Sequence, residues 1–159
     1  MRLSIVCLTL CLISACSSFS ELGVLQRREL LAEYPAFAPT TASSDPHLSS
    51  LNAQLEKSAD KPHIVVYLGL WCHDSEIQLP QLLAVFDHLP VQSFSYELYG
   101  LNRLKRDPAN RAVAHRIFRT PTVVVERNNQ EVGRIVERPS VSWAADLAKI
   151  INQEPHHSL

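Results

Sequence analysis

An excess of charge of either sign is missing from this sequence, and glycine is scarce. The 159 residues include 15 Lys and Arg against 16 Asp and Glu, which leaves a formal net charge of −1. Such a balance gives no electrostatic case for binding nucleic acid or an anionic membrane surface. Four glycines against ten prolines exclude long flexible Gly/Ser linkers. The length and the 46% hydrophobic content suit one domain with a core of ordinary size.

Cysteine is nearly absent after the first sixteen residues. Cys7, Cys11 and Cys16 all lie near the N-terminus, and Cys72 alone lies in the rest of the chain. A short basic start and the apolar run LSIVCLTLCLISA precede Cys16, and this run is too short to span a bilayer. The pattern is typical of a targeting signal and not of a transmembrane helix.

The residues before Cys16 resemble the signal of a bacterial lipoprotein, with an aliphatic residue, two small ones and then cysteine. The resemblance implies that residues 1–15 are a signal peptide and that Cys16 carries a lipid anchor that holds the protein to a membrane. In the sorting pattern that this signal resembles, Asp after the cysteine retains a lipoprotein at the inner membrane. Ser17 stands at that position and favours the periplasmic face of the outer membrane in the cell envelope. An ordinary secretory signal cut near Ser17 or Ser18 is the alternative.

Hydrophobic periodicity divides the remaining chain into a tether and one domain. The predicted domain covers residues 47–153 and has the element order β-α-β-α-β-β-α, preceded by a helix. Residues 16–46 are predicted to be the lipidated N-terminus and tether, and residues 154–159 a disordered tail. Within the first segment, residues 21–34 are predicted to form a short helix, and whether this helix packs on the domain or belongs to the tether stays open. The predicted elements are a helix opened by Asp45 as N-cap, strands over 63–70 and 93–101, helices over 74–89, 107–118 and 140–153, and a hairpin with its turn at 128–130.

This order, with Trp71-Cys72 at the end of a buried strand, resembles the thioredoxin fold. Pro80 lies eight residues after Cys72, where thioredoxins place the proline that kinks the active-site helix. Thr120-Pro121 precedes the hairpin and is similar to the segment whose proline is cis and lies against the reactive cysteine. The resemblance covers nearly all of the predicted domain. It implies an α/β fold with a central mixed sheet of about four to five strands flanked by helices.

Three departures from the thioredoxin pattern concern the second step of its chemistry. Ser75 stands where thioredoxins carry a second cysteine, so the motif is Cys-x-x-Ser, and the two residues between are His73 and Asp74. The buried acid that thioredoxins carry six residues before the cysteine is Val66 here. That acid assists deprotonation when the second cysteine releases the mixed disulfide. Without a second cysteine, that deprotonation step does not occur within the chain. The absence of the second cysteine and the absence of the acid are therefore consistent with each other.

The position of Cys72 favours reactivity. A thiol between a strand and a helix faces unpaired backbone N–H groups and the positive end of the helix dipole, which stabilise the attacking thiolate. Ser75, one turn further on, can donate a hydrogen bond to this thiolate. A protonated His73 would add to the effect, whereas Asp74 opposes it. An inert buried thiol is the alternative for Cys72.

Two functions follow, and both stay open. In the first, Cys72 forms a mixed disulfide with a thiol- or disulfide-containing client protein or a small thiol, and an external thiol resolves it in an isomerase- or reductase-like reaction. The resemblance implies that Trp71 and Thr120-Pro121 form the client-facing surface, with His73 beside it. In the second, the protein is a redox-inactive binding or structural lipoprotein at the outer membrane.

No cofactor or metal site is predicted, because the histidines show no ligand spacing with cysteines or acids. A peroxidase of the same superfamily would need a threonine three residues before its cysteine, where Gly69 stands. A copper-delivery relative would need a second cysteine. A serine hydrolase lacks support, since no G-x-S-x-G occurs. A cysteine–histidine hydrolase stays open, although nothing in the sequence orients a histidine at Cys72.

Overall fold

The computed structural model describes residues 20–40 and 45–153. The predicted signal peptide (1–15), the lipidation residue Cys16 and the predicted tail (154–159) therefore lie outside the described residues. Within the described ranges, no helix combines the length and the apolar character that crossing a membrane requires.

Five strands and five α-helices make up the described part of the chain. The sheet order is first, third, second, fourth, fifth strand; the second and third strands are parallel, and the other neighbouring pairs are antiparallel. The predicted central mixed sheet flanked by helices is thereby confirmed. The elements are β1 (Gly23–Leu25), α1 (Arg27–Glu33), α2 (Leu48–Lys57), β2 (His63–Leu68), α3 (His73–Asp87), β3 (Ser95–Gly100), α4 (Arg111–Ala114), β4 (Thr122–Arg127), β5 (Gln130–Val136) and α5 (Trp143–Ile151).

The run HIVVYL forms the central strand, β2, between β3 and β4. All of its residues except His63 are buried, since both faces of the sheet are covered. Alternate side chains join a larger core beneath α3 and α5, and the others join a smaller core beneath α4. The turn that carries Cys72 therefore follows the best-buried strand of the sheet, which gives the site a rigid base.

Residues 21–34 do not form the single helix that the sequence predicts. Their first part is β1, which pairs antiparallel with β3, and α1 begins only at Arg27. Gly23 has φ +84°, a conformation that glycine adopts without steric cost. Gly100 allows the close approach of the two strands, because a Cβ there would lie 2.2 Å from the Glu21 carbonyl oxygen. Pairing with an open sheet edge outweighs the local helix propensity.

The segment ahead of the predicted domain packs on it. Leu25, Leu30 and Phe37 are buried in the larger core. Complete burial of such a side chain contributes roughly 1.5–3 kcal/mol of transfer free energy. The sequence left open whether residues 21–34 pack on the domain, and the burial of these three side chains makes the segment part of the folded unit.

Asp45 is not the N-cap of α2. That helix begins at Leu48, and its N-cap residue His47 makes no side-chain capping hydrogen bond. The Asp45 carboxylate accepts a hydrogen bond from His47 N at 3.0 Å, ahead of that helix. It also accepts from Ser142 Oγ at 3.0 Å and from Ala144 N at 3.2 Å, at the start of α5. The reason is tertiary, since the first N–H groups of α5 need acceptors and Asp45 supplies one across the fold.

The predicted helix over 107–118 is reduced to the single turn α4. Asn110 and Arg116 have φ near +54° and +53°, and these left-handed residues bound the turn on both sides. Asp107 is buried ahead of it. Its carboxylate accepts four hydrogen bonds, from the Tyr99 hydroxyl and from the backbone N–H groups of Ala109, Arg111 and Ala112.

The hairpin and the last helix are confirmed. β4 and β5 pair antiparallel, and Asn128 and Asn129 between them have φ +50° and +61°, as a type I′ turn requires. Helix α5 begins after Ser142, whose Oγ accepts a hydrogen bond from Ala145 N at 3.1 Å. This serine is the N-cap that the sequence indicates.

Candidate functional site

Cys72 occupies the junction between the central strand and α3. Its backbone N–H donates to the Gly69 carbonyl at 2.9 Å and closes a tight turn after β2. Its extended backbone, with φ −97° and ψ 119°, makes it the N-cap of α3. The side chain is half-buried, and its thiol is free. The sulfur thus lies at a helix N-terminus, where the first N–H groups lack partners within the helix.

Thr120 and Pro121 lie against the sulfur of Cys72. Their peptide bond is cis, as the resemblance implies. Cys72 Sγ lies 3.2 Å from the Thr120 carbonyl oxygen and, as a thiol, donates a hydrogen bond to it. The Glu137 N–H donates to the Pro121 carbonyl at 2.7 Å and ties this segment to the end of β5. Because a thiolate is repelled by a carbonyl oxygen, we expect the sulfur to turn away from Thr120 when its proton leaves.

Trp71 is fixed beside the cysteine by several contacts. Its indole Nε1 donates to the Leu101 carbonyl at 2.9 Å. Its ring packs so closely on Gly69 that a Cβ at that position would lie 2.6 Å from Trp71 Cε2. Lys105 Nζ and Arg103 Cζ lie 4.9 and 5.3 Å from the ring centroid. Glycine at position 69 is therefore required by the packing of the tryptophan, and two cations border the site.

Ser75 is completely buried in the first turn of α3. Its Oγ accepts a hydrogen bond from Gly69 N at 3.3 Å. An accepting hydroxyl keeps its own hydrogen for donation, so this contact leaves a hydrogen bond to a Cys72 thiolate chemically available. That bond stays a prediction, since the Cys72 sulfur itself donates to Thr120 in this structure.

His73 and Asp74 are both exposed at the start of α3. His73 Nδ1 lies 3.9 Å from a carboxylate oxygen of Glu76, a separation at which an exposed ion pair contributes little. The carboxylates of Asp74 and Glu76 lie in the first turn, where negative charge favours the helix through its dipole. A role of His73 in binding a client stays a prediction.

The cations around the site were missed by the sequence analysis. Arg103 and Lys105 come from the loop after β3, and Arg119 directly precedes Thr120 and pairs with Glu137 at 2.9 Å. The basic run NRLKR at 102–106 is a signal that could have identified the loop. The pair of Arg119 with Glu137 has no local signal, because it joins residues on different elements.

The position of the thioredoxin acid is apolar in this protein. Val66 is fully buried in the larger core. Polar groups lie instead on the opposite face of the sheet, beneath α4. There the Tyr67 hydroxyl is buried without a hydrogen-bond partner among the described residues, and burial raises the pKa of Tyr67 to about 12. Residue 66 therefore supplies no acid or base to the site.

Side chains that could ligate a metal are spread apart. His47 pairs with Asp45 at 3.3 Å and His115 with Glu126 at 3.7 Å, each as an isolated pair. Within residues 20–40 and 45–153, no three His, Cys, Asp or Glu side chains come together in an arrangement that could hold a metal ion. A structural or catalytic zinc site needs three or four convergent ligands.

Comparisons with known proteins find similarity in structure and none in sequence family. No protein-family model and no curated protein matches the sequence. A protein of unknown function from Pseudomonas aeruginosa is similar in structure, with a TM-score of 0.50 and 18% identity over 65% of this chain and 72% of that one. Trxlp from Edwardsiella tarda has a TM-score of 0.43 and 20% identity, over 70% of this chain and 97% of that one. Thioredoxin f2 from Chlamydomonas reinhardtii has a TM-score of 0.41 and 17% identity, over 56% of this chain and 78% of that one. Likeness at these identities concerns the fold alone. The mixed five-stranded sheet flanked by helices, with the cis Thr120–Pro121 bond beside Cys72, confirms the predicted α/β thioredoxin-like fold.

Proposed function

We propose that this protein is a thiol-disulfide exchange protein of the bacterial cell envelope that acts through one cysteine, Cys72. The observation that carries the proposal is a free, half-buried thiol at the N-terminus of α3, lying against the cis Thr120–Pro121 bond and beside Trp71. Unpaired N–H groups at a helix N-terminus stabilise a thiolate. A sulfur that is partly exposed is also open to a client.

The exchange step needs no second cysteine in this chain. The Cys72 thiolate attacks one sulfur of a client disulfide, so that a bond between Cys72 and that sulfur forms as the client's S–S bond breaks. The other client sulfur leaves as a thiolate. In isomerisation, a different thiol of the client attacks the client sulfur, so that a new client disulfide forms and Cys72 leaves as a thiolate. In reduction, an external thiol attacks the Cys72 sulfur and releases the client sulfur as a thiolate. A second external thiol then releases Cys72, and the two external thiols end joined in a disulfide, having supplied the two electrons.

Within this proposal, the residues around Cys72 have separate roles. Trp71 offers a client a rigid apolar contact, because its indole is held by a hydrogen bond to the backbone. The Thr120 carbonyl accepts from the resting thiol and becomes available to a client N–H once the sulfur turns away. Ser75 donates to the thiolate from within the first turn of α3. His73 adds an exposed contact at the start of that helix.

A redox-inactive binding or structural role at the outer membrane is the second candidate. It is favoured by the hydrogen bond from the Cys72 thiol to the Thr120 carbonyl, which suits a protonated sulfur. The apolar Val66 also provides no base to remove that proton. Under this alternative the fold presents its surface to a partner without covalent chemistry.

Covalent trapping separates the two candidates. The wild-type protein is expected to form complexes with client proteins that appear on non-reducing gels and disappear on reduction, and to react with a small disulfide probe. Cys72→Ala removes the one thiol in the described part of the chain and should abolish both signals completely. Cys72→Ser should give the same loss with a polar side chain of similar size. A folded wild-type protein that reacts with neither client nor probe would favour the binding module.

The proposed location is the periplasmic face of the outer membrane, through a lipid on Cys16. Its support is the sequence ISAC followed by serine at residues 13–17. Metabolic labelling with a palmitate analogue should mark the wild-type protein and should be lost in Cys16→Ser. An unlabelled wild-type protein would contradict the anchor and leave the exchange chemistry of Cys72 unaffected.

A further inference from the structure

Two depressions meet at Phe118, on the side of the domain that carries α4. One, of about 280 Å³, lies between the loop at 104–106 and α4. The other, of about 510 Å³, lies between residues 116–119 and the end of β5. Arg116 and Phe118 line both, so the two depressions form one surface, called here the α4 surface.

Exposed apolar side chains are concentrated on the α4 surface. Eight large hydrophobic residues are exposed in the described part of the chain, and four of them line these depressions. Phe118 and Leu104 are each 79% exposed, and Val113 and Val136 are 44% and 42% exposed. Single exposed apolar residues are ordinary on a protein surface, but a contiguous group that lines a concave region is typical of a binding site.

The charge of the α4 surface is entirely positive. Its cations are Lys105, Arg106, Arg116, Arg119 and Arg134, and no described carboxylate lines either depression. Arg119 and Arg134 have ion-pair partners at the rim, Glu137 and Glu131. Arg106 and Arg116 form no ion pair with any of the described carboxylates. The surface therefore has unneutralised positive charge to offer a partner.

The α4 surface adjoins the cysteine on two sides. Arg119 directly precedes Thr120, whose carbonyl accepts the hydrogen bond from Cys72 Sγ. Lys105, which lines the first depression, also lies 4.9 Å from the centroid of the Trp71 ring. A segment bound across the depressions would therefore reach the sulfur at either Trp71 or Thr120.

We propose that the α4 surface selects the clients of Cys72, and that these clients carry an acidic segment with apolar side chains close to the reacting cysteine. This inference rests on the proposed exchange function. Carboxylates of the segment pair with Arg106 and Arg116, and its apolar side chains enter the depressions on the two sides of Phe118. A polypeptide is the occupant because the apolar side chains line concave regions, which accept protruding side chains, whereas a bilayer surface is met by a flat or convex face.

A cysteine-free peptide tests the docking step separately from the exchange reaction. The probe is a labelled peptide in which Glu and Phe alternate, and its binding to the wild-type protein is followed by fluorescence anisotropy. Binding should weaken as salt is raised, because the charges are at the surface. Arg106→Glu combined with Arg116→Glu should weaken it at least roughly tenfold, and Phe118→Ser roughly fivefold. Arg28→Glu, an exposed arginine on α1, is the matched control and should leave binding unchanged.

The possible results distinguish a failure of the exchange function of Cys72 from a failure of the proposed acidic specificity of the α4 surface. A second labelled peptide, in which Lys replaces every Glu, is the charge-reversed control. A wild-type protein that traps clients through Cys72 but binds this Lys-Phe peptide as tightly as the Glu-Phe peptide contradicts the acidic specificity alone. A protein that binds the Glu-Phe peptide and never forms a mixed disulfide contradicts the exchange function alone. Vesicles of anionic phospholipid that bind the wild-type protein, and not the doubly reversed variant, while the acidic peptide does not bind, would assign the surface to a membrane and overturn the proposal.

Discussion

Replacing Ser75 with cysteine is expected to turn long-lived mixed disulfides at Cys72 into transient ones. The new thiol would lie in the first turn of α3, three residues after the N-cap sulfur, as in a Cys-x-x-Cys pair. An attacking thiol held in the same molecule acts at an effective concentration far above that of an external thiol, so the lifetime of the mixed disulfide should fall at least about a hundredfold. Quenched time points on non-reducing gels measure that lifetime.

The matched control is Ser75→Ala, which removes the hydroxyl without adding a thiol. Its mixed disulfides should persist as long as those of the wild-type protein. The rate at which they form should fall, because the predicted hydrogen bond from Ser75 to the thiolate is lost. If Ser75→Cys instead accumulates complexes as stable as those of the wild type, residue 75 does not reach the sulfur and the assignment of the second step is wrong.

Asp107→Ala is expected to lower the free energy of unfolding far more than replacement of an exposed acid does. The buried carboxylate accepts hydrogen bonds from the Tyr99 hydroxyl and from three backbone N–H groups, one in the turn before α4 and two in its first residues. An unsatisfied buried donor costs roughly 1–3 kcal/mol, so the free energy of unfolding should fall by about 3–5 kcal/mol. Asp74→Ala, at an exposed position, should change it by less than about 1 kcal/mol. Urea denaturation followed by circular dichroism measures both changes.

The stability that Asp107 contributes should depend on pH. Burial acts to raise the pKa of its carboxyl, but the hydrogen bonds from Ala112 N, Arg111 N and Tyr99 outweigh burial, and the pKa is lowered overall. A group whose pKa is lower in the folded state stabilises the fold above its unfolded pKa, near 4, and loses that effect as the pH falls through the folded value. The difference between wild type and Asp107→Ala should therefore be constant near neutral pH and should shrink in acid. A difference that grows in acid would contradict the assignment.

The site illustrates how much of a reactive centre local sequence can predict. The apolar run before Cys72 and the helical pattern after it predict a thiol at a strand–helix junction, because both patterns repeat over a few residues. The placement of Thr120 at 3.2 Å from the sulfur was implied only by resemblance, since the two residues are 48 positions apart. The cations that cover Trp71 depend on the path of the loop after β3, which no periodicity specifies.

The overall charge conceals how the charges are distributed. A net charge of −1 gives no reason to expect a positive surface. Yet Arg106 and Arg116 line the same depression, and no described carboxylate lines it with them. The expectation that nucleic acid is not a partner stays a prediction. The partner that we propose for the α4 surface is an acidic polypeptide.

By itself the sequence determined the central strand, the helix that follows Cys72, the hairpin and α5, since these depend on short-range periodicity, turn residues and a capping serine. It also determined that the motif at this site holds one cysteine, Cys72, with Ser75 at the position of a second. The conformation of residues 21–34 depends on tertiary structure, because their first part pairs with the open edge of the sheet as β1 and does not continue the predicted helix. Tertiary structure likewise decided the distant partners of Asp45, Ser142 and Ala144, which lie 97 and 99 positions away. Both the strand pairing and these hydrogen bonds join residues that are distant in the sequence and close in the fold, and contacts of that kind produce no periodic pattern along the chain.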